Sequence, residues 1–338
     1  NWRVRKNFAP FLNEKVCKYQ ITITTPETTT FEVEQYYQDY EECLRFLRTI
    51  KDEDYEYPEE KVNFHIYTEI KNKKELMIIK SFLATQNLDK CNLIVWSDYN
   101  IEDNPLIQPY KEYLDMRIWN PVFEAEGTIL EGRYDILLAK DHKHYLQSDL
   151  LRIIALHKYG GVWVDMDIIL LRDFVPLFGQ EYMYMWGSET DFARMGACAT
   201  VLSLNKRSEF SLELMKQVSI TPPIPATCCW GKDMFAPLYG RYKYPVLPST
   251  FFNTEWCINV KYPGYANQLQ KSWFENAQKP QNDIREGAQA NYLFKEAFAW
   301  HWHNDTNKKI EEIDANSKFG LLSSYVNKLL KLKGIKNE

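Results

Sequence analysis

Asp165-Met166-Asp167 is the group of residues in this sequence with the most evident chemistry. Two carboxylates one residue apart can both reach a single point if the chain bends between them. Carboxylate oxygens suit hard divalent cations. Mg²⁺ and Mn²⁺ sites commonly use one or two such side chains and complete the shell with water and substrate phosphate. An ion held this way can bridge the two phosphates of a nucleoside diphosphate and neutralise the charge that grows as it leaves. The triplet alone is weak evidence. An acidic chain produces it by chance, and its plainer meaning is two solvated loop carboxylates.

The flanking residues raise its weight. Upstream, Leu146, Leu150, Ile153 and His157 follow helical spacing, while Tyr145, Asp149 and Arg152 share another side at i, i+4 and i+7. Taken by themselves, Asp149 and Arg152 would be an ordinary i,i+3 surface pair. Gly160-Gly161 ends the helix, and the short apolar strand Val162-Trp163-Val164 runs straight into Asp165. A helix, a glycine stop, a strand and then Asp-x-Asp form a compound pattern far more specific than the triplet.

Elements before this point must position it. Phe64 to Thr68 reads as a strand, Lys73 to Asn87 as a helix, Asn92 to Trp96 as a second strand, Pro105 to Leu114 as a further helix, and Arg117 to Trp119 as a third strand. That alternation predicts an α/β fold with a Rossmann-like, mainly parallel sheet flanked by helices. Ligands of such sheets sit at the carboxyl ends of the strands. Asp98 stands at one such end, either near a nucleotide or as a plain strand terminator. Residues 1–60 read differently, with two alternating stretches around Pro26, a charged helical stretch and an acidic, Tyr-rich connector, and are expected to be an appendage.

The segment from Ser148-Asp149 through Arg152, Lys158-Tyr159-Gly160-Gly161 and Val162-Trp163-Val164-Asp165-Met166-Asp167 resembles the DXD-containing sugar-transferase family. That family takes in the initiating α-mannosyltransferases, the α1,4-galactosyltransferases and N-acetylglucosaminyltransferases of animals, many capsule-type enzymes and the core of the glucosylating clostridial toxins. The resemblance implies a GT-A fold and transfer with retention at the anomeric carbon. It implies that Asp149 and Arg152 contact the hydroxyls of the donor sugar, that Asp165 meets ribose or sugar, and that Asp167 holds the metal, Mn²⁺ or Mg²⁺, with Asp165 beside it. A UDP-sugar is the first expectation for the donor and a GDP-sugar the second; the other partner is a glycan or glycoconjugate acceptor.

The second half supplies two more candidates. Gly196 to Leu204 reads as a strand and Ser208 to Val218 as a helix. Trp230-Gly231-Lys232-Asp233 resembles the family's stretch before a helix where a polar side chain lies beneath the donor sugar, which makes Asp233, with Asp149, a candidate catalytic residue; its plainer role is a favourable charge at a helix start. Ala299-Trp300-His301-Trp302-His303-Asn304 resembles the family's His-aromatic-Asn stretch, so His301 is expected at the metal or the diphosphate. The catalytic domain is expected over 61–304, and 305–338 as a helical tail.

Composition excludes other classes. The net charge of −5 argues against nucleic acid as a partner, and no stretch reaches the roughly 18 apolar residues needed to cross a bilayer. Seven cysteines without a Cys-x-x-Cys pair argue against structural zinc. Free thiols would fit the cytoplasm; the alternative is the luminal catalytic part of a Golgi-type enzyme. A hydrolase with paired carboxylates is the rival enzyme, but Asp165 and Asp167 are too close in sequence to flank a glycosidic bond. The rival outside enzymes is a non-catalytic carbohydrate-binding protein on a transferase fold.

Overall fold

The computed structural model describes residues 18–23, 31–36, 40–141, 144–185, 197–223, 230–242, 244–253, 274, 292–304 and 308–336. First along the chain come an antiparallel pair, β1 (Lys18–Ile23) and β2 (Phe31–Tyr36), and helix α1 (Tyr40–Thr49). Then follow β3 (Val62–Tyr67), α2 (Leu76–Thr85), β4 (Cys91–Ser97) and β5 (Leu114–Ile118). Two short helices, α3 (Pro121–Ala125) and α4 (Tyr134–Leu137), lead to the long α5 (Tyr145–Tyr159). β6 (Gly161–Val164), β7 (Ile168–Leu170), β8 (Tyr182–Met185) and β9 (Ala197–Leu204) come next. The remainder comprises α6 (Glu209–Ile220), α7 (Trp230–Arg241), β10 (Val246–Leu247), β11 (Ala299–His301) and α8 (Lys318–Leu332).

Seven strands form one sheet in the order β10-β8-β9-β6-β3-β4-β5. Only β9 runs against the rest, pairing antiparallel with both β6 and β8. The expected α/β architecture, a mainly parallel sheet flanked by helices, is therefore present. Its inner strands read as near-continuous apolar runs because both faces are covered. In β4, Leu93 and Val95 join the core on one face, with residues of α1, α2 and α8, while Ile94 and Trp96 join the core of the other, with α5, α6 and α7. α1 contributes Cys43, Leu44 and Leu47 to the first core, and α8 contributes Phe319, Leu322, Val326 and Leu330.

One expected helix is absent. Pro105 to Leu114 holds a short 3-10 turn over Gln108–Tyr113, and Leu114 already belongs to β5. Pro109 lacks the N–H that would extend an α-helix inward, and Asn104 instead ties the segment by accepting from Leu106 N and donating to the carbonyls of Glu69 and Ile70. None of the helices among the described residues is long and apolar enough to cross a membrane. Cys43, Cys91 and Cys198 are buried, and the other four cysteines lie outside the described residues.

Candidate active site

α5 and β6 are joined by a turn only glycine permits. The helix starts where Asp141 accepts from the N–H groups of Tyr145 and Leu146, and ends where Gly160 at φ 68° returns its N–H to Leu156 O. Gly161 follows at φ 108°, and a Cβ there would lie 2.0 Å from Asn63 O. That close approach lets β6 enter the sheet against β3 and carry Asp165 to the strand end. His65 of β3 secures the same turn: its Nε2 donates to Gly160 O at 3.0 Å while Nδ1 accepts from Trp96 Nε1 at 3.2 Å. With both ring nitrogens committed in a neutral tautomer, burial pushes its pKa down to about 4.

Asp165 is held from several sides. Its N–H donates to Thr200 O of β9, and its Oδ1 accepts from Trp163 Nε1 at 2.6 Å and lies 3.2 Å from Arg152 Nη2. The same guanidinium nitrogen is 3.2 Å from Asp149 Oδ1, and Nη1 donates to Ala199 O at 2.9 Å. Arg152, only 6% exposed, thus stitches α5, β6 and β9 together and balances two carboxylates at once. Burial works against its charge, but Asp165 and Asp149 outweigh that and keep the guanidinium above its ordinary range. For Asp165 burial is the larger effect and, with Asp167 nearby, pushes its carboxyl up against the pull of Arg152.

The chain bends after Asp165, and β7 leaves the sheet to pair antiparallel with β11, His301 opposite Ile168. Trp302 N donates to Asp167 O just past that pairing, so the bend and β11 are locked in register. His301 Nε2 lies 3.2 Å from Asp167 Oδ2. Burial alone would raise the Asp167 carboxyl; His301, with His303 behind it, overrides this and holds it below the usual carboxylate range. The His303 ring stacks on His301 with centroids 3.7 Å apart, and burial drives its pKa well below the ordinary value. His303 and Asn304 both have positive φ, a cost that residues at binding sites often carry.

These groups converge on one cavity of about 550 Å³. Asp149, Arg152, Asp165, Asp167 and His301 all line it, so five of the six residues singled out from sequence meet in one place. Asp233 sits in the first turn of α7; its side chain lies outside the described residues, but Phe235 two positions on lines the cavity. Asp98 is not in the wall. It accepts from Tyr67 OH at 2.5 Å and pairs with His144 Nδ1 at 3.2 Å, and those two partners are wall residues.

Sequence reasoning passed over the loop between β3 and α2. Glu75 Oε2 accepts from Lys71 N and Thr68 Oγ1, Asn72 Oδ1 accepts from the N–H groups of Lys74 and Glu75, and Ile70 is held at φ 49°. The signal was present: Asn72 and Glu75 have the three-residue spacing of a capping box. Thr200 and Cys198 were also missed as wall residues, and nothing local in sequence distinguishes them from core; His303, in the same stretch as His301 and the weaker match there, lines the wall as well.

The donor set fits a divalent cation. Among the described residues no three His, Cys, Asp or Glu side chains are grouped to cage an ion unaided. Asp167 and His301 at one point, beside Asp165, nonetheless suffice for an ion whose remaining ligands are phosphate and water.

Fold and site together are a mainly parallel α/β sheet with a carboxylate-lined cavity at the bend after its central strand. The sequence narrows this further: residues 10–193 match the model of the family described as the glycosyltransferase sugar-binding region containing DXD motif, and the chain belongs to that family. The fold is accordingly of the GT-A type. An uncharacterised protein of Arabidopsis thaliana is 32% identical over 99 residues, which span 29% of this chain and 14% of that relative. Among solved structures, the glycosyltransferase GlyE of Streptococcus pneumoniae TIGR4 is similar at TM-score 0.45 and 11% identity, covering 82% of this chain and 64% of GlyE. The galactosyltransferase LgtC, in complex with donor and acceptor sugar analogues, is similar at TM-score 0.41 and 12% identity, covering 82% and 97%.

Proposed function

We propose that the protein is a metal-assisted, retaining glycosyltransferase that moves a hexose-type sugar from a nucleotide-sugar donor to a hydroxyl of a glycan acceptor, with UDP-sugars ahead of GDP-sugars. The observation that carries this is the meeting of Asp149, Arg152, Asp165, Asp167 and His301 in one cavity. Asp167 and His301, with Asp165 beside them, would hold a divalent ion, Mn²⁺ before Mg²⁺. Bound there, the ion neutralises charge on the departing diphosphate.

The protein's own groups do the rest. Arg152 keeps Asp149 and Asp165 paired, which orients both carboxylates to accept from sugar and ribose hydroxyls. Such preorganised groups cost no reorganisation when charge develops. Asp233, from the start of α7, is the candidate to lie beneath the sugar as an oxocarbenium-like state forms. In the retaining scheme the acceptor hydroxyl adds on the face from which the nucleoside diphosphate leaves, and the leaving phosphate takes its proton. No side chain then acts as a strong nucleophile.

The test is thermal stabilisation by UDP-, GDP-, CMP- and dTDP-sugars, each with and without Mn²⁺. A ligand at about a hundred times its Kd adds roughly 2.7 kcal/mol. A shift needing both one nucleotide class and the metal, and lost in Asp167→Ala, is expected. Absence of any shift removes the proposal. Stabilisation without sugar release or transfer favours the carbohydrate-binding alternative. Proton NMR of the product checks retention, and an inverted anomeric configuration would refute that part.

A further inference from the structure

Behind His301 lies a chain of hydroxyl groups that the proposed chemistry does not use. His301 Nδ1, the ring nitrogen facing away from Asp167, lies 3.4 Å from Tyr184 OH. Tyr184 OH is 2.5 Å from Thr200 Oγ1, which is 3.3 Å from Cys198 Sγ. Tyr184 is fully buried on β8, and a register shift between Tyr182 and Tyr184 in the pairing with β9 sets the strand's aim at this point. Bulges next to active sites typically re-aim one side chain. Phe252 packs on the ring with centroids 5.2 Å apart, fixing it further.

We propose that Tyr184, backed by Thr200, is a positioning residue that governs which nitrogen of His301 carries the proton and so presents Nε2 to the cation beside Asp167. The inference rests on the metal role given to His301 above. An imidazole ligates through a nitrogen bearing no hydrogen, so the other nitrogen must carry it and needs an acceptor. Tyr184 oxygen is that acceptor. The phenol then turns its own hydrogen to Thr200 Oγ1. Each hydroxyl is both donor and acceptor, so the chain reverses direction without leaving a buried polar atom unmatched. With the site free, Tyr184 OH donates to Nδ1 instead, and Nε2–H faces Asp167. A phenylalanine at 184 would remove the partner in both states.

Mn²⁺ binding in the presence of UDP, followed by the electron paramagnetic resonance of free Mn²⁺, provides the test. Tyr184→Phe is expected to weaken Mn²⁺ binding about 10-fold or more, as loss of such partners typically does. Thr200→Val is expected to weaken it less, and Thr200→Ser, which keeps the hydroxyl, to restore it. The decisive arm is a double-mutant cycle, because a residue acting through His301 has nothing to act through in His301→Gln. Tyr184→Phe should cause no further loss in that background. Thermal unfolding of each variant confirms folding, and Thr200→Val serves if Tyr184→Phe does not fold. Wild-type affinity in Tyr184→Phe, or an equal loss in the His301→Gln background, would overturn the positioning role alone. A wild type that binds no Mn²⁺ with UDP, or a His301→Gln variant that binds as wild type, would overturn the metal role of His301 and this inference with it.

Discussion

Arg152 shows how burial changes the meaning of a residue pair. On a surface, Asp149 and Arg152 would contribute a few tenths of a kcal/mol. Here the guanidinium is 3.2 Å from two carboxylates and also bonds a β9 carbonyl, inside the protein. Removing it strands two partly buried negative charges, for which roughly 3–5 kcal/mol, the typical loss for a fully buried pair, is the upper end. Arg152→Ala should therefore fail in urea unfolding by an amount of that order, and Arg152→Lys should fold but lose most donor binding, since one ammonium cannot reproduce the planar fork. His65 gives a separate prediction. Its folded pKa, about 4, lies below the unfolded value of 6.5, so between those values the unfolded chain binds more protons. The stability His65 contributes is full above about pH 6.5 and falls as pH drops, by on the order of 2 kcal/mol at pH 5. His157 and His303 are shifted in the same direction, so the His65 share is the difference between the wild-type slope and that of His65→Gln, which should be flatter over pH 5–7.

At the scale of elements, the join between α5 and β6 is the most demanding point. Gly161→Ala would drive a Cβ into Asn63 O and is expected to cost at least about 3 kcal/mol. Gly127→Ala, at φ 72° with nothing within 4 Å, is the control and should cost roughly 1–2 kcal/mol by denaturant unfolding. This join was also the most legible part of the sequence. Helical spacing changes to a strand at two glycines, and both signals are local. β3 and β4 were legible as apolar runs for the same reason. The pairing of β7 with β11 was not, because each strand has three residues and the partner lies far along the chain. Nor did any local pattern show that Arg152 faces β9 rather than solvent, or that Pro109 would leave only a 3-10 turn.

Over the whole molecule, α8 is a structural member rather than a loose tail. Phe319, Leu322, Val326 and Leu330 are almost fully buried in the core that also holds β3 and α2. Fully burying one such side chain is worth about 1.5–3 kcal/mol. Val326→Asp should therefore lower the melting temperature sharply, while Lys328→Ala on the same helix should leave it almost unchanged; circular dichroism would separate the two.

The route of the chain through the site also bears on when the protein can first act. Tyr184 and His301 are 117 positions apart, and Asp167 lies further still from His301. A ribosome that has released the sheet up to β9 has presented Asp165, Asp167 and Arg152, but not the imidazole opposite them. Domains grow from the N-terminus as they are made, so a nascent chain carries half of the proposed cation site for as long as synthesis of the remainder takes. Nucleotide sugar can then offer it little stabilisation during translation. Arrested nascent chains should resist proteolysis better with Mn²⁺ and donor only once the segment bearing His301 has left the exit tunnel.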